Sequence, residues 1–332
     1  MGRRLRILGA DDVESLLGMD DVLELVEKVF AERGRGRTQM PPKSYLFFTE
    51  HHGDLRVMPA YLEALDQAGV KLVNVHPDNP TRYGLPTVLA TIVLVSPATG
   101  EPLCIMDGTV LTAMRTAAAS GVATKYLARS EAHSLGVTGA GYQSWYQLEA
   151  IARVRRVDAV AIYDTVTEKA EALALRAGRQ LGLNASVRAT IEDTVRGADM
   201  LVTVTPSRSP IVSDDWVTAG MHINCVGADA PGKQELDAAI LRRARIVIDD
   251  WEQASHSGEI NVPFSKGELR REDVHAEIGE VVAGVKKGRT SDSQITVFDT
   301  TGLAIQDIVC AWRAYEWAEQ RSVGEQMDSL YR

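Results

Sequence analysis

Cysteine is scarce in this chain, with three residues among 332. Cys104, Cys225 and Cys310 lie far apart in the sequence and form no CxxC pair. This pattern excludes both a disulfide framework and a cysteine-based metal site. Unpaired cysteines are typical of a reducing compartment, where the free thiols are usually buried. We therefore expect a cytoplasmic protein with three structural thiols.

Two further absences narrow the class of protein. Lys and Arg number 36 against 45 Asp and Glu, and the net charge of -9 lacks the basic excess that a nucleic-acid-binding surface needs. The longest apolar run, residues 85–95, is interrupted by Pro86 and two threonines and is too short to cross a membrane. The amino terminus is charged and has no signal-peptide core. We expect neither a nucleic acid nor a membrane as a partner.

The composition is that of a soluble globular protein, with 45% hydrophobic and 24% charged residues. Its length is sufficient for two domains. Residues 20–34 have helical periodicity, and after Met40-Pro41-Pro42 come short strand-like segments at residues 44–48, 55–58, 70–75 and 87–95. This first part of the chain predicts a small α+β domain.

From Thr112 onward the pattern becomes a regular alternation of helices and buried strands. Helices are predicted at residues 112–128, 143–153 and 167–182, and strands at residues 134–138, 159–163, 200–205, 222–226 and 246–250. Such alternation is the signature of a doubly wound parallel sheet. A last amphipathic helix, residues 303–320, is expected to return to the first domain. The predicted fold class is α/β, with a Rossmann domain at residues 112–300 and a smaller, discontinuous α+β domain at residues 1–111 and 301–332.

The most specific motif follows the predicted strand at residues 134–138. The run Gly139-Ala140-Gly141-Tyr142-Gln143-Ser144 matches a dinucleotide fingerprint with serine in place of the third glycine. The first glycine permits a tight turn, the second lets a pyrophosphate approach the backbone, and the N-terminus of the following helix favours an anion.

An acid completes this motif. Asp164 ends the next predicted strand, where a carboxylate accepts hydrogen bonds from ribose hydroxyls. Residues 165–167 contain no Lys or Arg, so the pattern favours NAD over NADP. The alternative is an ordinary βαβ unit in which Asp164 only caps a helix.

A second glycine-rich turn runs from Gly227 to Gly232. Its spacing to Lys233 is like that of a nucleoside-triphosphate-binding loop, but Gln234 replaces the Ser or Thr that would bind magnesium. Asp229 would also place a negative charge among the phosphates. Because the turn follows the carboxyl end of a predicted strand, where α/β sheets bind ligands, Asp229 is a candidate for proton exchange with an amine. The alternative is a loop residue that caps a helix.

Three cations, Lys43, Arg56 and Lys71, lie in apolar or proline-containing stretches of the first domain. Each alone is typical of a strand residue that faces solvent. Together, in an acidic protein, they predict a binding site for a substrate carboxylate. No metal is expected, because His275-Ala276-Glu277 matches only half of a zinc deaminase motif and the PCxxC half is missing.

These motifs resemble the ornithine cyclodeaminase and mu-crystallin family. The resemblance to the family is carried by residues 114–120, 139–144, 147–150, 226–229 and 298–302. Residues 39–43, 53–56, 227–237, 258–261 and 301–307 resemble its archaeal alanine dehydrogenase branch in particular. The resemblance covers nearly the whole chain.

The resemblance implies roles for individual residues. It implies a homodimer formed through the first domain, with Lys43, Arg56 and Lys71 lining the substrate site there. Lys71 and Asp229 are the expected catalytic residues, and Asp229 is expected to face the reacting carbon. The expected cofactor-binding residues are Arg115, Thr116, Gly139, Ala140, Gly141, Gln143, Ser144, Asp164, Gly227, Asp229 and Thr300, of which Arg115 and Thr116 are expected to contact the cofactor phosphates.

The expected function is NAD(H)-dependent, reversible oxidative deamination of a small L-amino acid, alanine to pyruvate and ammonia, through an imine. Arg56 stands where the cyclodeaminases carry an acid, so a diamino acid such as ornithine should be disfavoured. Two alternatives stay open, because folds transfer more safely than substrates. One is an ornithine cyclodeaminase or cyclic ketimine reductase, and the other is a non-catalytic, crystallin-like protein that binds a ligand in the NAD pocket.

Overall fold

A computed structural model describes residues 4–328, so residues 1–3 and 329–332 of the predicted first domain lie outside the described residues. The chain divides into two compact units. The first comprises the residues up to Arg115 and those from Leu303 onward, and the second comprises Thr116–Gly302. Between residues 4 and 328, no helix combines the length and apolarity that a membrane span requires.

The first unit is built on a mixed sheet. Its strands are β1 (Arg4–Leu8), β2 (Thr38–Gln39), β3 (Ser44–Phe48), β4 (Gly53–Leu62), β5 (Gln67–Val75), β6 (Val88–Val95), β7 (Pro102–Asp107) and β16 (Glu325–Asp328). Their order is β16-β1-β7-β6-β5-β4, with β2 and β3 both pairing with β4. The β1–β7 pair is parallel and the others are antiparallel.

The helices of this unit are α1 (Ala10–Leu16), α2 (Met19–Gly34), α3 (Asn79–Arg82) and α12 (Ala304–Arg321). The two long helices, α2 and α12, each have an apolar side that is buried. α12 contacts α2, β4 and β5, and it buries Ile305, Ile308 and Val309. The indole of Trp312, one helical turn further, donates to the carbonyl of Ala68 at 3.1 Å. The last helix of the chain therefore lies over the strands that carry Arg56 and Lys71.

The second unit is built on a parallel sheet. Its strands are β8 (Ser134–Thr138), β9 (Ala159–Tyr163), β10 (Ala185–Val187), β11 (Met200–Thr203), β12 (His222–Cys225), β13 (Arg245–Ile248), β14 (Val274–Glu277) and β15 (Thr296–Asp299). Its helices are α5 (Tyr142–Val154), α6 (Thr167–Leu181), α7 (Ile191–Val195), α8 (Ala238–Arg243), α9 (Trp251–Ser257), α10 (Asn261–Ser265) and α11 (Ile278–Val282), and the division between the units falls within α4 (Thr109–Leu127). The predicted doubly wound parallel sheet is confirmed.

The order of these strands is β10-β9-β8-β11-β12-β15-β13-β14. The chain runs outward from β8 to β10 and then returns to place β11 on the other side of β8. At such a switch point the loops diverge, and a crevice opens at the carboxyl ends of the two strands. Residues 139–144 follow β8, and Val204 and Thr205 follow β11. The predicted phosphate-binding motif therefore lies at the topological switch point.

Candidate active site

The turn after β8 needs both of the small residues that close it. Gly139 has a φ of 99°, and a Cβ on it would lie 2.8 Å from the carbonyl oxygen of Val204. The buried Ser144 hydroxyl donates to the carbonyl oxygen of Gly139 at 2.8 Å. Any larger residue at Gly139 would thus collide with the segment after β11, and Ser144 supplies a bond that a third glycine would not.

Gly141 leaves open space at the start of α5. Its backbone is extended, and a Cβ built on it meets no atom of the chain within 4 Å. It is also the N-cap of α5, and no side chain caps that helix end. Open space beside the N–H groups of a helix N-terminus suits an anion. The residues of this turn therefore fit the pyrophosphate of a dinucleotide.

Asp164 joins this turn to the loop after β9. Its Oδ2 accepts a hydrogen bond from the amide of Ala140 at 2.7 Å, and its Oδ1 accepts one from the amide of Val166 at 2.8 Å. The side chain is half-exposed, and each carboxylate oxygen can accept a second bond. Asp164 is thus held in place by backbone amides, and its bonds to ribose hydroxyls stay a prediction.

Asp229 is half-exposed on the turn after β12 and is paired with Lys233. Sequence reasoning considered Lys233 only within the rejected triphosphate-binding loop and so missed this ion pair. The amide of Gly232 donates to Asn261 at 2.9 Å, and Asn261 in turn donates to the carbonyl of Lys233 at 2.8 Å. The turn is thereby anchored on both sides of its lysine.

Thr300 follows the carboxyl end of β15 and is buried. Its hydroxyl donates to Asp249 at 3.1 Å, and the same carboxylate oxygen accepts the amides of Thr301 at 2.6 Å and Gly302 at 2.8 Å. Asp249 thus shapes this loop. The contact of Thr300 with a cofactor stays a prediction.

In the first unit, Lys71 and Arg115 share one buried carboxylate. Lys71 Nζ lies 2.7 Å from Asp307 Oδ2, and Arg115 Nε lies 2.8 Å from Asp307 Oδ1. Arg115 also donates to Gln306 at 3.1 Å, and Lys71 lies 3.4 Å from the hydroxyl of Thr112. The side chains of Lys71 and Asp307 are 1% and 0% exposed, so this is an interior ion network.

The surroundings of Lys71 change its basicity. Burial is the largest cause, and together with the charges of Arg115 and Lys43 it lowers the pKa of Lys71 to about 7, against the opposing effect of Asp307. A lysine with that pKa can both donate and accept a proton near neutral pH. Asp307 itself was not among the predicted site residues, although it ends the family-like run of residues 301–307.

Arg56 occupies the neighbouring strand. It lies opposite Val73 and Lys71 lies opposite Met58, so the two cations are diagonal neighbours on one face of the sheet. Arg56 Nε and Nη2 donate to the two oxygens of Asp54 at 3.0 and 3.1 Å. The first unit therefore brings two of the predicted cations together, and sequence reasoning missed the carboxylate that partly compensates Arg56.

The other two predicted cations of this region, Lys43 and Arg115, also act on Lys71. The charge of Lys43, just before β3, acts on Lys71 strongly enough to lower its pKa. Arg115 adds a fourth cation to the group, with its guanidinium directed at Asp307 and Gln306. The contacts of Arg115 and Thr116 with cofactor phosphates stay predictions. Within residues 4–328, no group of three His, Cys, Asp or Glu residues is arranged to hold a metal ion.

The chain matches the model of the ornithine cyclodeaminase/mu-crystallin family over residues 4–322. An alanine dehydrogenase of Archaeoglobus fulgidus is 52% identical over 321 residues, which is 97% of both chains. The chain belongs to the ornithine cyclodeaminase/mu-crystallin family. The resemblance drawn from the sequence is thus confirmed.

Two solved structures are similar over the whole fold. An archaeal alanine dehydrogenase dimer with bound NAD is 50% identical, with a TM-score of 0.94 and coverage of 98% of this chain and 99% of that one. The Δ1-pyrroline-2-carboxylate reductase of Thermococcus litoralis, in complex with NADH and L-proline, is 39% identical, with a TM-score of 0.94 and coverage of 97% and 100%. The prediction of NAD as cofactor agrees with both relatives.

Replacing Asp307 tests the ion network of the first unit. Asp307→Asn keeps the shape of the side chain but leaves two buried cations beside a neutral amide. We expect the free energy of unfolding, measured by urea denaturation, to fall by about 3–5 kcal/mol. The pKa of Lys71, measured by NMR of ¹³C-labelled lysine, should fall below its present value of about 7, because the charge of Asp307 raises it.

The exposed Asp11 provides the matched control. Asp11→Asn should leave both quantities nearly unchanged, since surface substitutions usually alter stability by less than about 0.5 kcal/mol. An unaltered titration of Lys71 in the Asp307→Asn variant would show that Asp307 does not set the basicity of that lysine.

Proposed function

We propose that the chain is an NAD(H)-dependent oxidoreductase that interconverts a small L-amino acid and its imine, with alanine as the first candidate substrate. The observation that carries this proposal is buried Lys71, which shares the carboxylate of Asp307 with Arg115 in a group of cations that lowers its pKa. Such a group suits a substrate that has a carboxylate and a nitrogen that gains or loses a proton. A dinucleotide-binding turn at the switch point of the second unit supports the redox chemistry.

The cofactor supplies a hydride acceptor or donor when it is bound. Gly141 and the N-terminus of α5 are suited to the pyrophosphate, and Asp164 to the adenosine ribose. The charge of Asp164 would repel a 2′-phosphate, which supports NAD over NADP. We assign the remaining cofactor contacts to the residues predicted from the sequence, including Gln143, Gly227 and Thr300.

Within the first unit, Lys43 and Arg56 are suited to bind the substrate carboxylate as paired cations. In the direction of deamination, neutral Lys71 Nζ accepts a proton and so helps water add to the imine carbon. In the reductive direction, protonated Lys71 Nζ returns that proton. Asp229, held by Lys233, would stabilise the cationic iminium. The balance is alanine, NAD⁺ and water giving pyruvate, ammonium, NADH and a proton.

Reduction of a cyclic imine is the second candidate function. A cyclic imino acid also has one carboxylate beside a protonated C=N bond, so the same cations and the same lysine would serve. The reductase that is similar over 97% of this chain supports this alternative. The remaining alternatives, an ornithine cyclodeaminase and a crystallin-like binding protein, rest on the family resemblance. A titrating lysine would be unnecessary in the binding protein.

The purified chain should oxidise NADH when it is given pyruvate and ammonium. Other keto acids and cyclic imines tested in parallel would rank the candidate substrates, and NADPH would test the choice of cofactor. Lys71→Met should lower kcat by about 10²–10⁴-fold, the usual contribution of an acid–base group. The exposed Lys266→Met provides the control.

Turnover of cyclic imines alone would contradict the assignment of alanine as substrate and would favour the function of a cyclic-imine reductase. A protein that binds NADH but turns over none of these compounds would instead be a binding protein. A wild type that prefers NADPH would overturn the role assigned to Asp164.

Selection against diamino acids should depend on Arg56 and Asp54 together. Without Asp54, the Arg56 guanidinium at about 4 Å from the side-chain ammonium of a diamino acid would repel it by about 4 kcal/mol in a partly buried site. Asp54 offsets part of that charge, so we expect alanine to be preferred over ornithine by less than this penalty implies. Asp54→Asn should widen the preference by about tenfold, and Arg56→Met should narrow it.

The measurement is kcat/KM for alanine, ornithine, lysine and aspartate with each variant. Ornithine turning over as well as alanine in the wild type, with proline as product, would favour the cyclodeaminase alternative. If the ratio of kcat/KM for alanine to that for ornithine is unchanged in both variants, neither Asp54 nor Arg56 acts on the substrate.

A homodimer is proposed for the assembled protein. It is supported by the dimer of the archaeal relative and by two apolar side chains on β3, Leu46 and Phe47, that are 59% and 72% exposed. A second copy of the chain would remove apolar surface of this kind from water. Light scattering should return twice the chain mass for the wild type and a smaller value for Phe47→Asp. A monomeric wild type would contradict the proposal.

A further inference from the structure

A buried carboxylate closes the loop that carries Asp229. β12 ends at Cys225, and Val226 follows it. The loop then runs from Gly227 to Glu235. Glu235 Oε2 accepts a hydrogen bond from the amide of Gly227 at 3.0 Å. The side chain at the end of the loop therefore binds the backbone at its beginning, and Asp229 and Lys233 lie between these two points.

The other oxygen of the same carboxylate binds the segment after β11. Glu235 Oε1 accepts hydrogen bonds from both the amide and the hydroxyl of Thr205, each at 2.7 Å. Glu235 is 0% exposed, so these donors take the place of water. One carboxylate thus ties together the carboxyl ends of two neighbouring strands.

Glycine at position 227 is a condition of this arrangement. A Cβ on Gly227 would lie 2.4 Å from Glu235 Oε2 and 2.2 Å from the carbonyl oxygen of Thr205. Neither atom belongs to a flexible chain end, because both are held by hydrogen bonds or backbone. The absence of a side chain at Gly227 therefore allows the carboxylate of Glu235 to lie directly against the main chain.

The segment held by Glu235 also supports the phosphate-binding turn. The Cβ position of Gly139 is 2.8 Å from the Val204 carbonyl oxygen and 3.1 Å from Thr205 Cγ2. The same stretch therefore contacts Gly139 on one side and Glu235 on the other. A shift of Thr205 would therefore displace both the phosphate-binding turn and the loop that carries Asp229.

Glu259 holds the backbone of Glu235 in turn. Its Oε1 accepts the amides of Glu235 at 2.9 Å and Leu236 at 2.6 Å. Burial and the charge of Glu235 raise the pKa of Glu259 well above its usual value. Burial also raises the pKa of Glu235, against the opposing effect of the hydrogen bonds from Thr205 and Gly227. The closing contacts suit the ionised carboxylate, because each oxygen of Glu235 accepts a hydrogen bond from a backbone amide.

We propose that Glu235 is a positioning residue for the reaction, which acts by holding Asp229 at a set distance from the phosphate-binding turn. The inference rests on the proposed function, since it assigns Asp229 a place in the chemistry. Glu235 itself touches neither substrate nor cofactor. Its effect passes through the Gly227 and Thr205 backbones.

Glutamine at this position is a sharp test because it has nearly the same shape. Both carboxylate oxygens of Glu235 face N–H donors, whereas a glutamine side chain has one oxygen and one NH₂ group. Glu235→Gln can accept from Thr205 or from Gly227, but it would oppose the other amide with a donor. One of the two closing contacts must therefore be lost.

The experiment measures NADH affinity by fluorescence titration and kcat with the best substrate for the wild type, Glu235→Gln, Asp229→Asn and the double variant. We expect Glu235→Gln to raise the Kd for NADH by about tenfold and to lower kcat by about 10- to 100-fold. The kcat losses of the two single variants should not multiply in the double variant, because a displaced loop matters less once Asp229 has lost its charge.

Glu252→Gln, which replaces an exposed side chain in the first turn of α9, is the control and should behave as the wild type. If Glu235→Gln fails to fold, Thr205→Val decides. It removes the hydroxyl bond to Oε1 and a 3.3 Å bond from the Ser207 amide, keeps the amide bond to Oε1, and should lower kcat about three- to tenfold. Wild-type affinity and kcat in the variant that folds would overturn the proposal, and so would losses that multiply fully with Asp229→Asn.

The two proposals fail in different ways. A wild type that turns over no substrate would contradict the proposed function, while its NADH affinity would still respond to Glu235→Gln. A wild type with normal turnover and an unaffected Glu235→Gln variant would contradict only the positioning role.

Discussion

The buried carboxylate of Asp307 is the contact on which the first unit depends. It lies between the ammonium of Lys71 and the guanidinium of Arg115, and no part of it reaches solvent. Removing three charges from water costs several kcal/mol for each ion, and short contacts return only part of that cost. Such a network is therefore a poor way to stabilise a fold. It does, however, help to keep the pKa of Lys71 at about 7, so that the charged and neutral forms of this lysine both occur near neutral pH.

The second unit uses buried carboxylates differently. Asp249 and Glu235 bind backbone amides at the carboxyl edge of the sheet, where a Rossmann fold leaves its loops without strand partners. An anion that accepts several amides can shape a loop that has few apolar side chains to pack. In the first unit a buried acid, Asp307, changes the pKa of Lys71. In the second unit the buried acids Asp249 and Glu235 fix the conformation of loops at the carboxyl edge of the sheet.

Much of the second unit could be predicted because its signals are local. The turn at residues 139–144 has its glycines and serine at set spacings, and β8 and β9 have the predicted limits. β15 was missed because its four residues include Thr296 and Asp299, so it has no apolar run, although it lies inside the sheet between β12 and β13. β10 has only three residues and was also missed.

The partners of the site residues were harder to predict. Lys71 and Arg56 were identified because a charge within an apolar strand is unusual. Asp307 looked like one polar residue of an amphipathic helix, and nothing in its spacing shows that the helix returns it to β5. Asp54 and Glu235 were missed for the same reason, since hydrogen bonds to side chains leave no periodicity in the sequence. Pairings between distant segments depend on the fold and cannot be obtained from local pattern.

The division of the first unit between the two ends of the chain has a consequence for its synthesis. β1 pairs with β16, with Arg4 opposite Asp328, and α12 lies against β4 and β5. A ribosome therefore synthesises the whole second unit before it makes the elements that complete the first. Closing so long a loop is slow, but a folded insert brings its own ends together and shortens the effective loop. The Rossmann unit can thus fold first and bring the two segments of the first unit close together.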